Sequence, residues 1–164
     1  FVLLWAAQAI AGWRVFAAQE RLHRGVEPAF SSYLSTGHFW QATAENWESE
    51  FLQMAAYVVL TGFLFQRGSA ESKDPDAPEE KPDACAANAS FWKANGLSLA
   101  FAGLFLAAFV THAIGGLAEH NDQRVEHGLP RQTLAEFLSG ADFWFQSLQN
   151  WQSEFLAVFS LAWA

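Results

Sequence analysis

From Gly96 to Ala118 the chain carries no Asp, Glu, Lys or Arg for 23 residues. As a helix rising about 1.5 Å per residue, such a run is long enough for the hydrocarbon core of a bilayer, which takes about 20 residues. Residues 97–111 are apolar or small on every side. A soluble four-helix bundle, the competing reading, needs a polar stripe at helical period on each helix, and this segment has none. His112 is the one ionisable residue in the run and reads as a packed, hydrogen-bonded histidine rather than a ligand.

Three further segments share this character. Residues 51–66 are uncharged and are followed by Arg67-Gly68. Residues 1–18 are apolar apart from Arg14, and residues 155–164 are apolar to the last position. The resulting expectation is an all-α membrane protein with four transmembrane helices near 1–24, 39–66, 95–119 and 142–164. Gly115-Gly116 is expected to loosen the end of the third. Composition agrees: 52% of residues are apolar and only 16% charged, against roughly 25% charged in a soluble domain.

The chain also repeats itself. GHFWQATAENWESEFL (37–52) and ADFWFQSLQNWQSEFL (141–156) are identical at eight of sixteen positions. Tyr33-Leu34-Ser35 matches Phe137-Leu138-Ser139, and Arg24-Gly25-Val26 matches His127-Gly128-Leu129 across a one-residue gap. Each half reads as helix, polar connector, motif and helix. Two spans per half give both halves the same orientation, as parallel repeats about an axis along the membrane normal. Residues 1–67 form the first two-helix repeat and 91–164 the second. Between them, 68–90 is an acidic, Pro-rich linker of the composition that stays flexible. The lysines and arginines around it place it in the cytoplasm by the positive-inside tendency. Phe1 lacks a preceding Met and Ala164 interrupts an apolar run, so the expectation is a fragment whose second repeat is truncated.

Comparing the two motifs marks what each half keeps. Glu45 and Glu48 become Gln149 and Gln152, so charge at those two places is optional within the chain. Asn46 and Glu50 recur as Asn150 and Glu154, four apart and so on one helix face. That face is expected to point inward, because lipid does not tolerate it. These four residues are the candidate polar or ion site. Trp40, Trp47, Trp144 and Trp151 stand near helix starts and read as interfacial anchors. Glu20 with His23, and His120, Asp122, Glu126 and His127, are clusters that a solvated connector explains without a metal. No nucleophile elbow, P-loop or zincin string is present, so neither an enzyme nor a cofactor is expected. The lone cysteine, Cys85, forms no internal disulfide, and the net charge of −8 argues against nucleic acid.

FWQATAENWESEFLQMAAYVVL, FLFQRGSAESKDPD, NGLSLAFAGLFLAAFVTHAIGG and FWFQSLQNWQSEFLAV together resemble a family of small bacterial four-helix membrane proteins defined only as a domain of unknown function. The resemblance covers nearly the whole chain. It implies residence in the bacterial cytoplasmic membrane, and it brings no known activity. Two functions are therefore expected from the residues. The first is a structural or accessory membrane protein that binds lipid, another membrane protein or its own copy. The alternative is a small proton- or cation-coupled transporter or channel using Glu50 and Glu154.

Overall fold

The computed structural model describes residues 1–63, 91 and 95–163. Its regular elements are α1 (Val2–Arg24), α2 (Phe30–Tyr33), α3 (Gly37–Phe63), α4 (Gly96–Glu126), α5 (Leu134–Ser139) and α6 (Ala141–Trp163), so the chain is all-α over the described residues. The motif forms the opening turns of α3 and α6. The linker expected at 68–90 lies outside the described residues.

Two expectations change. The third helix does not end near Gly115-Gly116 but runs on to Glu126. Both glycines are buried in mid-helix: a Cβ on Gly115 would run into the α3 backbone at Gln41, and one on Gly116 would press on the Phe137 ring. Of the four expected spans, only α4 is long and apolar enough to cross a membrane among the described residues. The others dilute their apolar runs with polar groups: Gln8 and Arg14 in α1, Glu45, Glu48 and Glu50 in α3, Asn150 and Glu154 in α6.

The helices end where the chain chemistry ends them. Gly25 (φ 69°) adopts the left-handed conformation after α1, and its N–H bonds the carbonyl of Arg21. Gly128 (φ 71°) does the same work after α4. Thr133 and Glu136 form a reciprocal capping box at α5. The Glu136 carboxylate accepts from the Thr133 N–H (2.7 Å) and hydroxyl (2.8 Å), which hold its pKa below the usual carboxylate value.

Packing centres on α3. It runs antiparallel to α1, with Trp5 near Thr43 and Phe16 near His38. It is also antiparallel to α4, and parallel to α6, where Gln41 meets Gln146 and Gln53 meets the Glu154 carbonyl. The α3–α4 crossing is the tightest. A Cβ on Gly37 would lie 2.7 Å from the backbone of Glu119 and of Gly115, and one on Gly115 would lie 2.9 Å from Gln41 N.

Two small aromatic cores flank this crossing, and their members correspond at one constant spacing. Ala9, Tyr33 and Phe39 form the first; Ala113, Phe137 and Phe143 form the second. Tyr33 and Phe39 meet edge-on at 5.6 Å and 70°, and Phe137 and Phe143 at 5.6 Å and 66°. Phe16–Tyr33 (5.5 Å, 44°) and His120–Phe137 (5.3 Å, 43°) correspond likewise. On this spacing Gln8 is the counterpart of His112, and Trp5 of Phe109.

Two outcomes follow from this packing. Gly37→Ala or Gly115→Ala forces backbone apart and is expected to cost about 1–3 kcal/mol. Gly103→Ala, with nothing within 4 Å, is expected to be neutral or to stabilise by up to about 1 kcal/mol through helix propensity. Thermal unfolding of the three variants measures the contrast. For the capping box, a lowered folded pKa means stabilisation that is present above the unfolded carboxylate range and lost as pH falls through the folded value. The melting-temperature difference between wild type and Thr133→Ala is therefore expected at pH 7 and should shrink at pH 3.

Candidate functional site

The most deeply buried polar group lies where α3, α4 and α6 meet. Glu48 and His112 are both 0% exposed. Glu48 is carried there by the motif, three residues after Glu45 on the same helix face. His112 sits one helical turn from the Gly115 crossing, which brings its ring against α3. The Glu48 Oε2 lies 2.7 Å from His112 Nδ1, and Glu48 Oε1 accepts the indole N–H of Trp151 at 2.9 Å. Both carboxylate oxygens are thereby engaged by two other helices.

On the far side of the ring, His112 Nε2 lies 3.3 Å from Gln146 Oε1, which also accepts from Gln41 Nε2 at 2.9 Å. Glu45 Oε2 is 3.9 Å from the same ring nitrogen. Each imidazole nitrogen thus faces oxygen, an arrangement satisfied by a ring carrying a proton on both nitrogens. A neutral ring is satisfied either with the Gln146 and Gln41 amides turned over in concert or with Glu48 carrying the proton that bonds Nδ1. Phe143 lies across the ring face at 4.8 Å and closes the site on the apolar side.

One buried polar atom nearby has no partner among the described residues, the Ser147 hydroxyl. Its counterpart Thr43 receives the Trp5 indole N–H at 3.4 Å. Phe109 stands in place of Trp5 in the second half and has no N–H to give.

A polar approach reaches the site from one end. An open groove of about 550 Å³ separates the C-terminal turns of α1 and α4 and is lined by Glu20, His23, Glu119, Asp122 and Glu126, among others. Arg24 spans it, bonding Glu126 at 2.7 Å and Glu20 at 3.3 Å. Glu119 and Gln123 also line a smaller pocket of about 220 Å³ with His38, Gln41 and Glu45. Glu45 therefore faces both this pocket and the buried ring. Glu20 and His23 of one sequence cluster and Asp122, Glu126 and His127 of the other border the groove, yet among the described residues no three His, Cys, Asp or Glu converge as metal ligands would.

The sequence-selected residues take different places. Asn46 and Glu50 are exposed, while Asn150 and Glu154 are half-buried. Glu50 and Glu154 are near enough for their charges to interact. Asn150 lies within hydrogen-bonding reach of Glu45. Trp40 and Trp144 are exposed at the outer face, with the Trp144 N–H on the Leu138 carbonyl. Trp47 packs on Phe1 and Trp5, and Trp151 turns inward to Glu48. Glu48 escaped notice because its counterpart is Gln152, which made its charge look dispensable. The available signal was His112: an ionisable group alone in an apolar run needs a partner, and Glu45 and Glu48 were the acids on one face of the neighbouring helix.

These features are those of a small helical protein with a buried carboxylate–imidazole clamp. The chain belongs to the family described as Domain of unknown function (DUF6766), whose model matches residues 1–164. Neither a curated protein nor a solved structure matches it.

Cutting the clamp from one side leaves the other partners buried and unpaired, which typically costs about 3–5 kcal/mol. Glu48→Ala is expected to fall in that range by thermal unfolding. Glu48→Gln keeps an acceptor for Trp151 and is expected to cost distinctly less.

Proposed function

We propose that this is a small integral membrane protein of accessory type, with its four long helices in the bacterial cytoplasmic membrane and the 68–90 linker on the cytoplasmic side. One observation carries the reading: polarity runs from inside to outside in the reverse of the soluble order. On α4 Leu106, Val110 and Ile114 are more than half exposed while His112 is fully buried. On α6 Phe145, Leu148 and Phe159 are exposed while Ser147 is buried. Only 17% of the most apolar stretch of α4 lies inside the protein, which supports a lipid-facing helix over the core helix of a soluble bundle. A bilayer is the solvent that suits such a surface. In this reading the Glu48–His112–Trp151 clamp holds the helices, and the outer faces bind lipid and a membrane partner.

A second reading is favoured by the position of Glu45. A carboxylate shared between a polar pocket and a buried imidazole can pass a proton from the groove to Glu48, which suits a proton-coupled transporter. Here Glu45, His112 and Glu48 take the part that the motif comparison gave to Glu50 and Glu154.

Fractionation tests the first reading: the full-length protein is expected in the membrane pellet after an alkaline carbonate wash. Recovery in the supernatant would overturn it. Proteoliposomes separate the two readings. An accessory protein shows no proton flux, and Glu48→Gln changes only its melting temperature. A transporter shows flux that Glu48→Gln abolishes while the fold persists.

A further inference from the structure

We propose that a second copy of this chain docks on the exposed faces of α6 and α1, repeating between chains the seam that joins the two halves within one. This names a partner for the accessory reading above, but it rests on the seam and not on the bilayer.

The seam inside the chain is head-to-tail. The first half contributes Gly37, Gln41, Glu45 and Glu48 of α3. The second half contributes His112 and Gly115 of α4 with Gln146 and Trp151 of α6. The halves thus use different surfaces, so among the described residues each has one surface in use and one free. The free surface of the second half is the counterpart of the α3 side: Ala141, Phe145, Gln149 and Gln152, all exposed. The free surface of the first half is the counterpart of the α4–α6 side. There Ala11 and Asn46 are exposed, and Gln8 and Trp47 are half-buried.

These two free surfaces match each other in chemistry. Within the chain the Trp151 N–H meets the Glu48 carboxylate. Between chains the Trp47 N–H, which has no hydrogen-bond partner among the described residues, would meet the Gln152 amide oxygen. Asn46 would meet Gln149 as Asn150 meets Glu45, and Gln8 would stand where His112 stands. Ala141 and Ala11 take the places of Gly37 and Gly115, so the helices would cross farther apart between chains than within one, at a seam that is looser for it. The dipeptide Trp-Glu or Trp-Gln in the motif therefore supplies a donor for one neighbour and an acceptor for the other.

A head-to-tail contact continues until it closes into a ring or runs on as a filament. Gln41 pairs with Gln146 and Glu45 with Asn150, each one residue beyond its own counterpart (Phe145, Gln149). One helical residue is a turn of about 100°. Neighbours in a closed ring of four present faces about 90° apart, against about 120° in a ring of six. The nearer match is a ring of four repeats, which is two chains.

Cysteine cross-linking of the full-length protein in mild detergent tests this, in a Cys85→Ser background. Asn46→Cys and Gln149→Cys, introduced on separate chains and co-expressed, are expected to form a disulfide dimer. Each variant alone is expected to form far less. Mass measurement of the uncross-linked protein is expected to give twice the chain mass. Gln152→Ala, which removes the exposed amide oxygen that would accept the Trp47 N–H, is expected to weaken the dimer about fivefold, the effect of one ordinary hydrogen bond. Its melting temperature at concentrations where the protein is monomeric should stay unchanged. A protein that stays monomeric, a disulfide formed only within a chain carrying both cysteines, or efficient cross-linking by one variant alone would each overturn the proposal. Membrane fractionation of the same variants keeps this outcome separate: membrane-bound protein without the cross-link defeats the second copy and leaves the accessory reading standing.

Discussion

The arrangement of the helices depends on one carboxylate. Glu48 holds a histidine from α4 with one oxygen and a tryptophan from α6 with the other. A buried carboxylate is costly to remove from water, so it persists only where its partners are fixed in place. The requirement acts in both directions. Glu48 sets how far α4 and α6 rotate about their axes, because a slip of one residue would carry His112 or Trp151 about 100° away. Apolar packing alone is less discriminating, since one leucine substitutes for another along a helix face. The clamp thus supplies register more than net stability.

The clamp closes only because backbone can approach backbone beside it. Gly37 and Gly115 bring α3 and α4 together with no intervening side chain. Close helix contacts of this kind suit an apolar solvent, where helices gain little by hiding leucine from lipid and more by van der Waals contact and interhelical hydrogen bonds. Glycine at the crossing, a polar clamp one turn away and leucine outside form a consistent set. The aromatic pairs of the two cores then fix the short connecting helices α2 and α5 against the long ones.

Much of this was legible in the sequence. The uncharged run marked α4, and the motif marked the first turns of α3 and α6 through its recurrence. The end of α4 was misjudged because Gly115-Gly116 has two meanings in a sequence: a weak helix end, or a place where another helix comes close. Only the partner backbone decides between them. The candidate site was legible in kind but not in position. Asn46 and Glu50 share a helix face, yet the face turned inward is that of Glu45 and Glu48, and helical period alone does not say which of two polar stripes faces the neighbour. Comparing the halves misled at this point, because it weighs what both share, whereas a seam that forms once needs only one charged copy.

That asymmetry has a physical basis. The seam inside the chain forms between covalently linked halves, at high effective concentration. It can therefore carry an ionisable pair, whose desolvation cost is met by a contact that rarely opens. Glu48 and His112 gain specificity there, since a misaligned half would bury a charge without a partner. At the corresponding positions Gln152 and Gln8 are neutral amides that can still donate and accept, but leave no bare charge when unpaired. Such a surface can stay exposed in a single chain and pair when another surface arrives. In a duplicated motif whose first copy is acidic and whose second is amide, Glu45 to Gln149 and Glu48 to Gln152, the seam within the chain would be the permanent one and the proposed contact between chains the reversible one.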